Sequence, residues 1–246
     1  MKKLGLIGFP LSHSFSKKYY LEKFAQEGIT HIDYDLYNIE HIPSFSDIYT
    51  NTDFYGVNVT IPHKISVLPY LQELSPEAKE IGAVNCIQIK HRPEGPYLIG
   101  YNTDVYGFQE SLRPLLKAHH TQALILGNGG AAKAVVYALT QLGISYTFVS
   151  RTKTEHNFSY EELTAELIQA HPLLINCSPV GTYPNIEQYP NIPYEGITAD
   201  HLLYDLIYNP EETAFLRLGR EHGAQTKNGL EMLILQAEKN WEIWNS

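Results

Sequence analysis

Residues 123–142 dictate much of what this 246-residue chain can become. Ala123 to Gly127 is a short apolar run of strand type, and Ala131 to Leu142 has helical spacing. Between them stands Gly127-Asn128-Gly129-Gly130-Ala131-Ala132. Glycines permit a tight turn and let a ligand come close to the backbone, and the helix that follows offers amide donors and a partial positive charge at its N-terminus. Strand, glycine-rich turn and helix in this order form the frame of a pyrophosphate-binding βα unit. A dinucleotide site is therefore expected at Gly127, Asn128, Gly129, Gly130 and Ala131, with a plain β–α turn as the bland alternative.

The text on either side supports two kinds of sheet. Tyr146 to Ser150, Leu173 to Asn176 and Leu202 to Asp205 read as strands. Ser159 to Ala170 reads as a helix opened by a capping box of Ser159 with Glu162, Glu211 to His222 as a helix with Gly223 just past its end, and Gly229 to Trp244 as a last helix. Strands alternating with helices predict a parallel, doubly wound sheet. Earlier, strands are expected over Leu4 to Phe9, His31 to Tyr37, Tyr55 to Thr60, Ala83 to Lys90 and Tyr97 to Tyr101, the last two joined as a hairpin. Ser16 to Glu27 is a helix closed by Gly28, and a helix from Thr103 to about Lys117 carries Phe108, Leu112, Leu115 and Leu116 on its apolar side. The first hundred residues thus read as α/β with mixed strands.

Composition excludes several classes. With 43% hydrophobic and 18% charged residues the chain is not intrinsically disordered. A net charge of −9 without any basic run argues against nucleic acid and anionic membranes as partners. Cys86 and Cys177 form no CxxC and no disulfide framework, and the histidines form neither HExxH nor a Cys/His ladder, so no metal is expected. Met1-Lys2-Lys3 with Leu4 to Phe9 has the start of an export leader, but Pro10, the polar Ser12, His13 and Ser14, and the lack of a small-residue cleavage site favour a first strand in a soluble cytoplasmic protein.

The strand after the glycine turn ends Val149-Ser150-Arg151-Thr152-Lys153. An NAD site usually has Asp or Glu here for the ribose hydroxyls, whereas Arg151 suits a 2′-phosphate. Lys153 adds a second cation and Glu155 opposes it, so NADP is expected over NAD, against the alternative of a solvated loop.

Other strand ends are crowded with polar residues. Ser12, Ser14 and Ser16 lie at the mouth of a helix, a place for a carboxylate or simply for an N-cap. Gly56-Val57-Asn58-Val59-Thr60-Ile61-Pro62-His63-Lys64, Gly82-Ala83-Val84-Asn85 and Gly100-Tyr101-Asn102-Thr103-Asp104 follow the same style. Alone, Lys64 reads as a surface lysine and Asp104 as a helix cap.

Taken together these segments resemble the shikimate dehydrogenase (shikimate/quinate dehydrogenase) family over nearly the whole chain. The resemblance implies a carboxylate site at Ser14 and Ser16, a substrate-binding Thr60 and catalytic Lys64 in Asn58–Lys64, a substrate ligand at Asn85, and Asp104 as partner of the lysine. In Asp205-Leu206-Ile207-Tyr208-Asn209-Pro210, Tyr208 is implied to reach the substrate and Leu206 the cofactor. In Gly229-Leu230-Glu231-Met232-Leu233 with Gln236-Ala237, Gly229 is implied near the nicotinamide and Gln236 at the substrate. Ser150, Arg151, Thr152 and Lys153 complete the implied NADP site, although Ser150 and Glu155 depart from the family's usual asparagine and second basic residue. Cys177 reads as packing, because no base is paired with it.

The expected fold class is α/β in two domains: a substrate-binding catalytic domain with a mixed sheet, 1–103 plus 228–246, and a Rossmann-like NADP-binding domain, 104–227, with the active-site cleft between them. The implied activity is reversible NADPH-dependent reduction of 3-dehydroshikimate to shikimate, with Lys64 and Asp104 handling the proton. The runner-up is an NAD-using quinate/shikimate dehydrogenase, and the reading from another class is a nucleotide-sensing regulator. A monomer or homodimer is expected; Trp241 and Trp244 read as domain packing rather than as an interface.

Overall fold

A computed structural model describes residues 1–11 and 14–246, so Ser12 lies outside the described residues. The chain divides into two compact units, Met1–Thr103 with Ala237–Ser246, and Asp104–Gln236. The return to the first unit thus comes later in the last helix than the expected 228.

The first unit contains β1 (Lys2–Gly8), α1 (Phe15–Glu27), β2 (Ile32–Asn38), α2 (Ser46–Tyr49), β3 (Phe54–Val59), α3 (His63–Ser66), β4 (Glu73–Leu74), α4 (Pro76–Ile81), β5 (Cys86–Arg92) and β6 (Gly95–Tyr101). Its sheet has the order β2-β1-β3-β5-β6-β4. Strands β2, β1 and β3 are parallel, β5 runs antiparallel to β3 and β6, and β4 runs parallel to β6, which is the mixed sheet expected. Side chains alternate across a strand, so Leu4 and Leu6 of β1 join one core with Tyr20, Phe24, Tyr34 and Trp244, while Ile7 joins the other with Val57, Val59, Ile87 and Leu98. Ser14 caps α1 by accepting from the Lys17 amide, and Gly28 ends it at φ +68°, a left-handed conformation that favours glycine. The short α4, capped by Ser75 and closed by Gly82, was not anticipated, although Ser-Pro at its start is a helix-opening pair.

The second unit continues with α5 (Thr103–Leu112), β7 (Gln122–Leu126), α6 (Gly130–Gln141), β8 (Ser145–Ser150), β9 (Asn157–Ser159), α7 (Ala165–Ala170), β10 (Leu173–Asn176), β11 (Leu202–Asp205), α8 (Ala214–Glu221), β12 (Gln225–Lys227) and α9 (Leu230–Trp244), the last completed by the first unit's residues. The sheet order is β12-β11-β10-β7-β8-β9, and all its paired strands are parallel. Leu124, Leu126, Val149, Leu174, Leu203 and Phe215 form its core.

Three helix expectations need correction. The helix from Thr103 ends at Leu112 and gives way to a 3₁₀ turn over Arg113–Leu115, because Pro114 has no amide hydrogen for a helical bond. The capping box of Ser159 and Glu162 is present but opens only a 3₁₀ turn over Tyr160–Glu162; Thr164 starts α7 afresh by accepting from the Leu167 amide. The Glu211 helix begins at Ala214, with Thr213 as its cap. Among the described residues no helix is long and apolar enough to cross a membrane, and no group of three or more His, Cys, Asp or Glu is placed to hold a metal ion.

Candidate active site

The glycine turn follows β7 at the point where the sheet order reverses. Strand β7 pairs with β10 on one side and β8 on the other, and a crevice outside the carboxyl ends of such strands is where doubly wound sheets hold ligands. Gly127 has φ +99°, and a Cβ there would lie 3.1–3.3 Å from Ser178, which follows β10. Gly129 caps α6 without any side-chain hydrogen bond, and the first turn of α6 holds no acidic residue. Among the described residues, apart from the chain neighbours and the helix's own backbone, no atom lies within 4 Å of a Cβ built on Gly129 or Gly130. The amide end of α6 is therefore open to an anion, with no carboxylate in its first turn to repel it.

Beside it, a cavity of about 350 Å³ is lined by Asn128, Ser150, Arg151 and Thr152, four of the residues read as cofactor-binding, together with Phe148, Thr154, His156 and Asn157, which the sequence did not single out. Asn157 organises the loop after β8: its side-chain amide donates to Ser150 Oγ at 2.5 Å and to the Thr152 carbonyl at 3.0 Å, while Thr154 Oγ1 donates to Asn157 Oδ1 at 2.5 Å. Ser150 donates in turn to the Thr152 carbonyl at 2.7 Å, so it braces the loop. Lys153 does not line the cavity; its ammonium is paired with Glu162, and that pairing holds the Glu162 carboxyl below the usual carboxylate range. No carboxylate is among the described lining residues. A guanidinium, three hydroxyls and no acid suit an adenosine 2′-phosphate better than a bare ribose diol. The residues present therefore fit a phosphorylated dinucleotide.

The segment after β11 is built on one buried carboxylate. Asp205 accepts from Asn176 Nδ2 at 3.0 Å, the Ile207 amide at 3.0 Å and Thr213 Oγ1 at 2.6 Å, tying the end of β10 to the cap of α8. Burial outweighs these three donors and raises the Asp205 carboxyl to about 6. Leu206 and Gly229 meet backbone to backbone: the Gly229 amide donates to the Ile207 carbonyl at 3.0 Å, and a Cβ on Gly229 would strike the Leu206 carbonyl. Tyr208, in the same segment, is 39% exposed. Burial also pushes the Cys177 thiol up, away from the reactive thiolate.

The Asp205 shift carries a sign. The folded state keeps a proton that the unfolded chain releases, so this group's stabilising contribution is complete below the unfolded value of 3.8 and is lost as pH rises through about 6. The loss amounts to about 3 kcal/mol at most. Urea denaturation from pH 4 to 7 should show a decline in wild type that Asp205→Asn flattens; equal slopes would contradict the assignment.

In the first unit the polar residues lie along one row of strand ends. The Thr60 amide donates to the Ile7 carbonyl at 2.9 Å, the Val59 amide to the Asn85 carbonyl at 2.8 Å, the Val84 amide to the Lys64 carbonyl at 2.8 Å and the Asn85 amide to the Tyr101 carbonyl at 3.0 Å. Thr60, Lys64 and Asn85 are thereby held through their own or adjacent backbone. Behind them runs a buried polar chain. Asn85 Oδ1 accepts from the Thr103 amide at 2.7 Å, and Thr103 Oγ1 donates to Asn240 Oδ1 at 2.6 Å. Asn58 Nδ2 donates to the Asn85 carbonyl at 3.3 Å and Asn58 Oδ1 accepts from Tyr34 Oη at 2.8 Å. With its carbonyl oxygen occupied in this way, Asn85 has a fixed amide orientation. Tyr34 and Asn240 were missed as site residues because nothing in their neighbourhood in sequence marks them; Thr103 stands in a segment that was singled out, but its bonds to Asn85 and Asn240 join residues far apart in the chain. Ser14 serves as the cap of α1, a role that uses its oxygen as acceptor and leaves its proton for another partner; Ser16 stands in the first turn of that helix. Asp104, Tyr208 and Gln236 belong to the second unit. Gln236 is buried and donates to the Leu233 carbonyl at 3.0 Å; a Cβ on Gly107 would press on its backbone amide and Cβ at 3.2 Å.

Comparison with known proteins gives one consistent result. Residues 6–87 match the family model described as the shikimate dehydrogenase substrate binding domain. A shikimate dehydrogenase (NADP(+)) of Carboxydothermus hydrogenoformans is 37% identical, with 99% of this chain and 91% of that protein covered. Among solved structures, the Thermus thermophilus shikimate 5-dehydrogenase in complex with NADP(H) and shikimate is similar at a TM-score of 0.84 and 30% identity, covering 99% of this chain and 93% of that one. A quinate dehydrogenase from Corynebacterium glutamicum in complex with NAD is similar at a TM-score of 0.88 but 26% identity, with 99% and 93% covered.

Proposed function

Because the chain belongs to the shikimate dehydrogenase family, we propose that it is an NADP-dependent oxidoreductase that interconverts 3-dehydroshikimate and shikimate. The observation that carries the cofactor half is Arg151 lining an acid-free cavity beside the open end of α6. A cytoplasmic monomer or homodimer completes the reading.

Reducing a ketone requires a hydride at carbon and a proton at oxygen, and the bound cofactor supplies the hydride. Gly127, Asn128, Gly129, Gly130 and Ala131 would hold its pyrophosphate through backbone amides, Ser150, Arg151 and Thr152 its 2′-phosphate end, and Leu206 and Gly229 its nicotinamide end. Lys153, paired with Glu162, assists only at a distance. Lys64 donates the proton to the carbonyl oxygen as negative charge builds there, and Asp104 is its partner in the proton transfer. In the reverse direction the same pair takes the hydroxyl proton away. Ser14, Ser16 and Tyr208 hold the substrate carboxylate, while Thr60, Asn85 and Gln236 read the ring hydroxyls.

Purified protein with shikimate and NADP should produce reduced nicotinamide absorbance, with NAD and quinate giving little. A rate with quinate and NAD equal to that with shikimate and NADP would overturn both the substrate and the cofactor assignment. Thr103→Val tests the brace behind Asn85. It removes a hydroxyl that donates to Asn240, and kcat/KM for shikimate should fall by roughly tenfold while the Kd for NADP stays unchanged. Wild-type kcat/KM in that variant would show that Asn85 needs no such support.

A further inference from the structure

Arg151 supplies only one positive charge, whereas a phosphate monoester carries nearly two negative charges at neutral pH. Among the described residues lining the cavity after β8, one further residue has a basic side chain, His156. It arrives there through loop geometry: Asn157 fastens the backbone at Thr152 and Thr154, and the His156 amide donates to Thr154 Oγ1 at 3.4 Å. The cation closest to Arg151 in sequence, Lys153, is turned to Glu162 and does not line the cavity.

We propose that His156 is the second cationic group of this cavity and, as imidazolium beside Arg151, grips the 2′-phosphate of NADP, so that the preference for NADP over NAD strengthens as pH falls. The inference rests on the cofactor reading given above. Imidazole is the side chain that changes charge between about pH 5 and 8. Among charged and titratable groups, Arg151 lines the same cavity, Glu155 is next in the chain, Lys153 and Glu162 pair with each other, and Tyr160 interacts electrostatically with Arg151. Glu155 is absent from the cavity lining, so the phosphate meets Arg151 and His156 without a competing carboxylate there. The phosphate itself loses negative charge below about pH 6, which weakens binding on the acid side for any variant alike. Comparing variants at one pH removes that common effect.

The test is calorimetric binding of NADP and NAD, and of adenosine 2′,5′-bisphosphate and AMP as the isolated phosphate probes, to wild type, His156→Gln and Arg151→Ala between about pH 6 and 8.5. At the acid end His156→Gln should bind NADP and the bisphosphate roughly tenfold more weakly than wild type, and at the alkaline end within about twofold. Its affinity for NAD and AMP should change by less than about twofold at either end, which also shows that the variant is folded. Arg151→Ala should weaken NADP at every pH. Equal NADP affinity of His156→Gln and wild type at the acid end, with wild type still preferring NADP, would overturn the role of His156 alone. A wild type that binds NAD as tightly as NADP would overturn the cofactor reading and this inference with it.

Discussion

Lys64→Ala should lower kcat for shikimate oxidation by roughly 10²- to 10⁴-fold, the usual worth of a positioned proton donor. KM for shikimate should move far less, because the interaction lost is one made chiefly in the transition state. The structure supports separating the two effects. Lys64 is held by its backbone carbonyl, which accepts from Val84 at 2.8 Å, and that bond survives truncation of the side chain. The fold and the row of Thr60 and Asn85 should therefore persist, as circular dichroism and shikimate binding would show. Turnover within tenfold of wild type in a folded Lys64→Ala protein would remove Lys64 from the chemistry. Asp104→Asn is the companion variant: if the two residues act as one proton-handling pair, the double variant should lose little more than the worse single one.

Trp244→Ala should cost the first unit about 3–5 kcal/mol, the range for deleting a fully buried aromatic side chain. Trp244 is 4% exposed, its ring lies 5.5 Å from that of Tyr20, and its indole nitrogen donates to the Ile87 carbonyl at 3.0 Å. The packing is tight enough that a Cβ on Gly56 would strike the indole ring. Trp244→Phe keeps most of the apolar surface and loses the hydrogen bond, so about 1–2 kcal/mol is expected. Gly56→Ala should approach the cost of overpacking, about 1–3 kcal/mol, by displacing the same ring. Urea denaturation followed by the fluorescence of Trp241, which packs on Phe24 at 5.4 Å, reads all three variants. An unchanged midpoint in Trp244→Ala would mean that the end of α9 contributes nothing to the stability of this unit.

Much of this was legible in the chain alone, and the reason differs from place to place. Strands β10 and β11 stand where expected because three apolar or aromatic residues in a row, buried with the Asn176 or Asp205 that follows them, announce a parallel strand. The turn at Gly127 was legible because its need for glycine arises from its own backbone angle. Helix α8 was misjudged at its start because Thr213, its cap, is placed by a bond to Asp205 from another element. The edge strands β9 and β12 are only three residues each and pair through neighbours that make them strands. Lys153 read as a second cation beside Arg151, opposed by Glu155; its pairing with Glu162, nine residues on, was not legible in the sequence.

Properties carried by residues near one another in the chain were therefore determined by the sequence: the alternation of strands and helices, the open glycine turn before α6, the cation after β8 and the polar strand ends around Lys64. What the tertiary structure decided is which of these groups are held and by whom. Asn85 is oriented by Thr103, 18 residues away, which bonds Asn240, 137 residues further on; the loop around Asn157 carries His156 into the cavity with Arg151. Hydrogen bonds across such separations form only after the sheets have brought distant segments together, and local periodicity holds no trace of them.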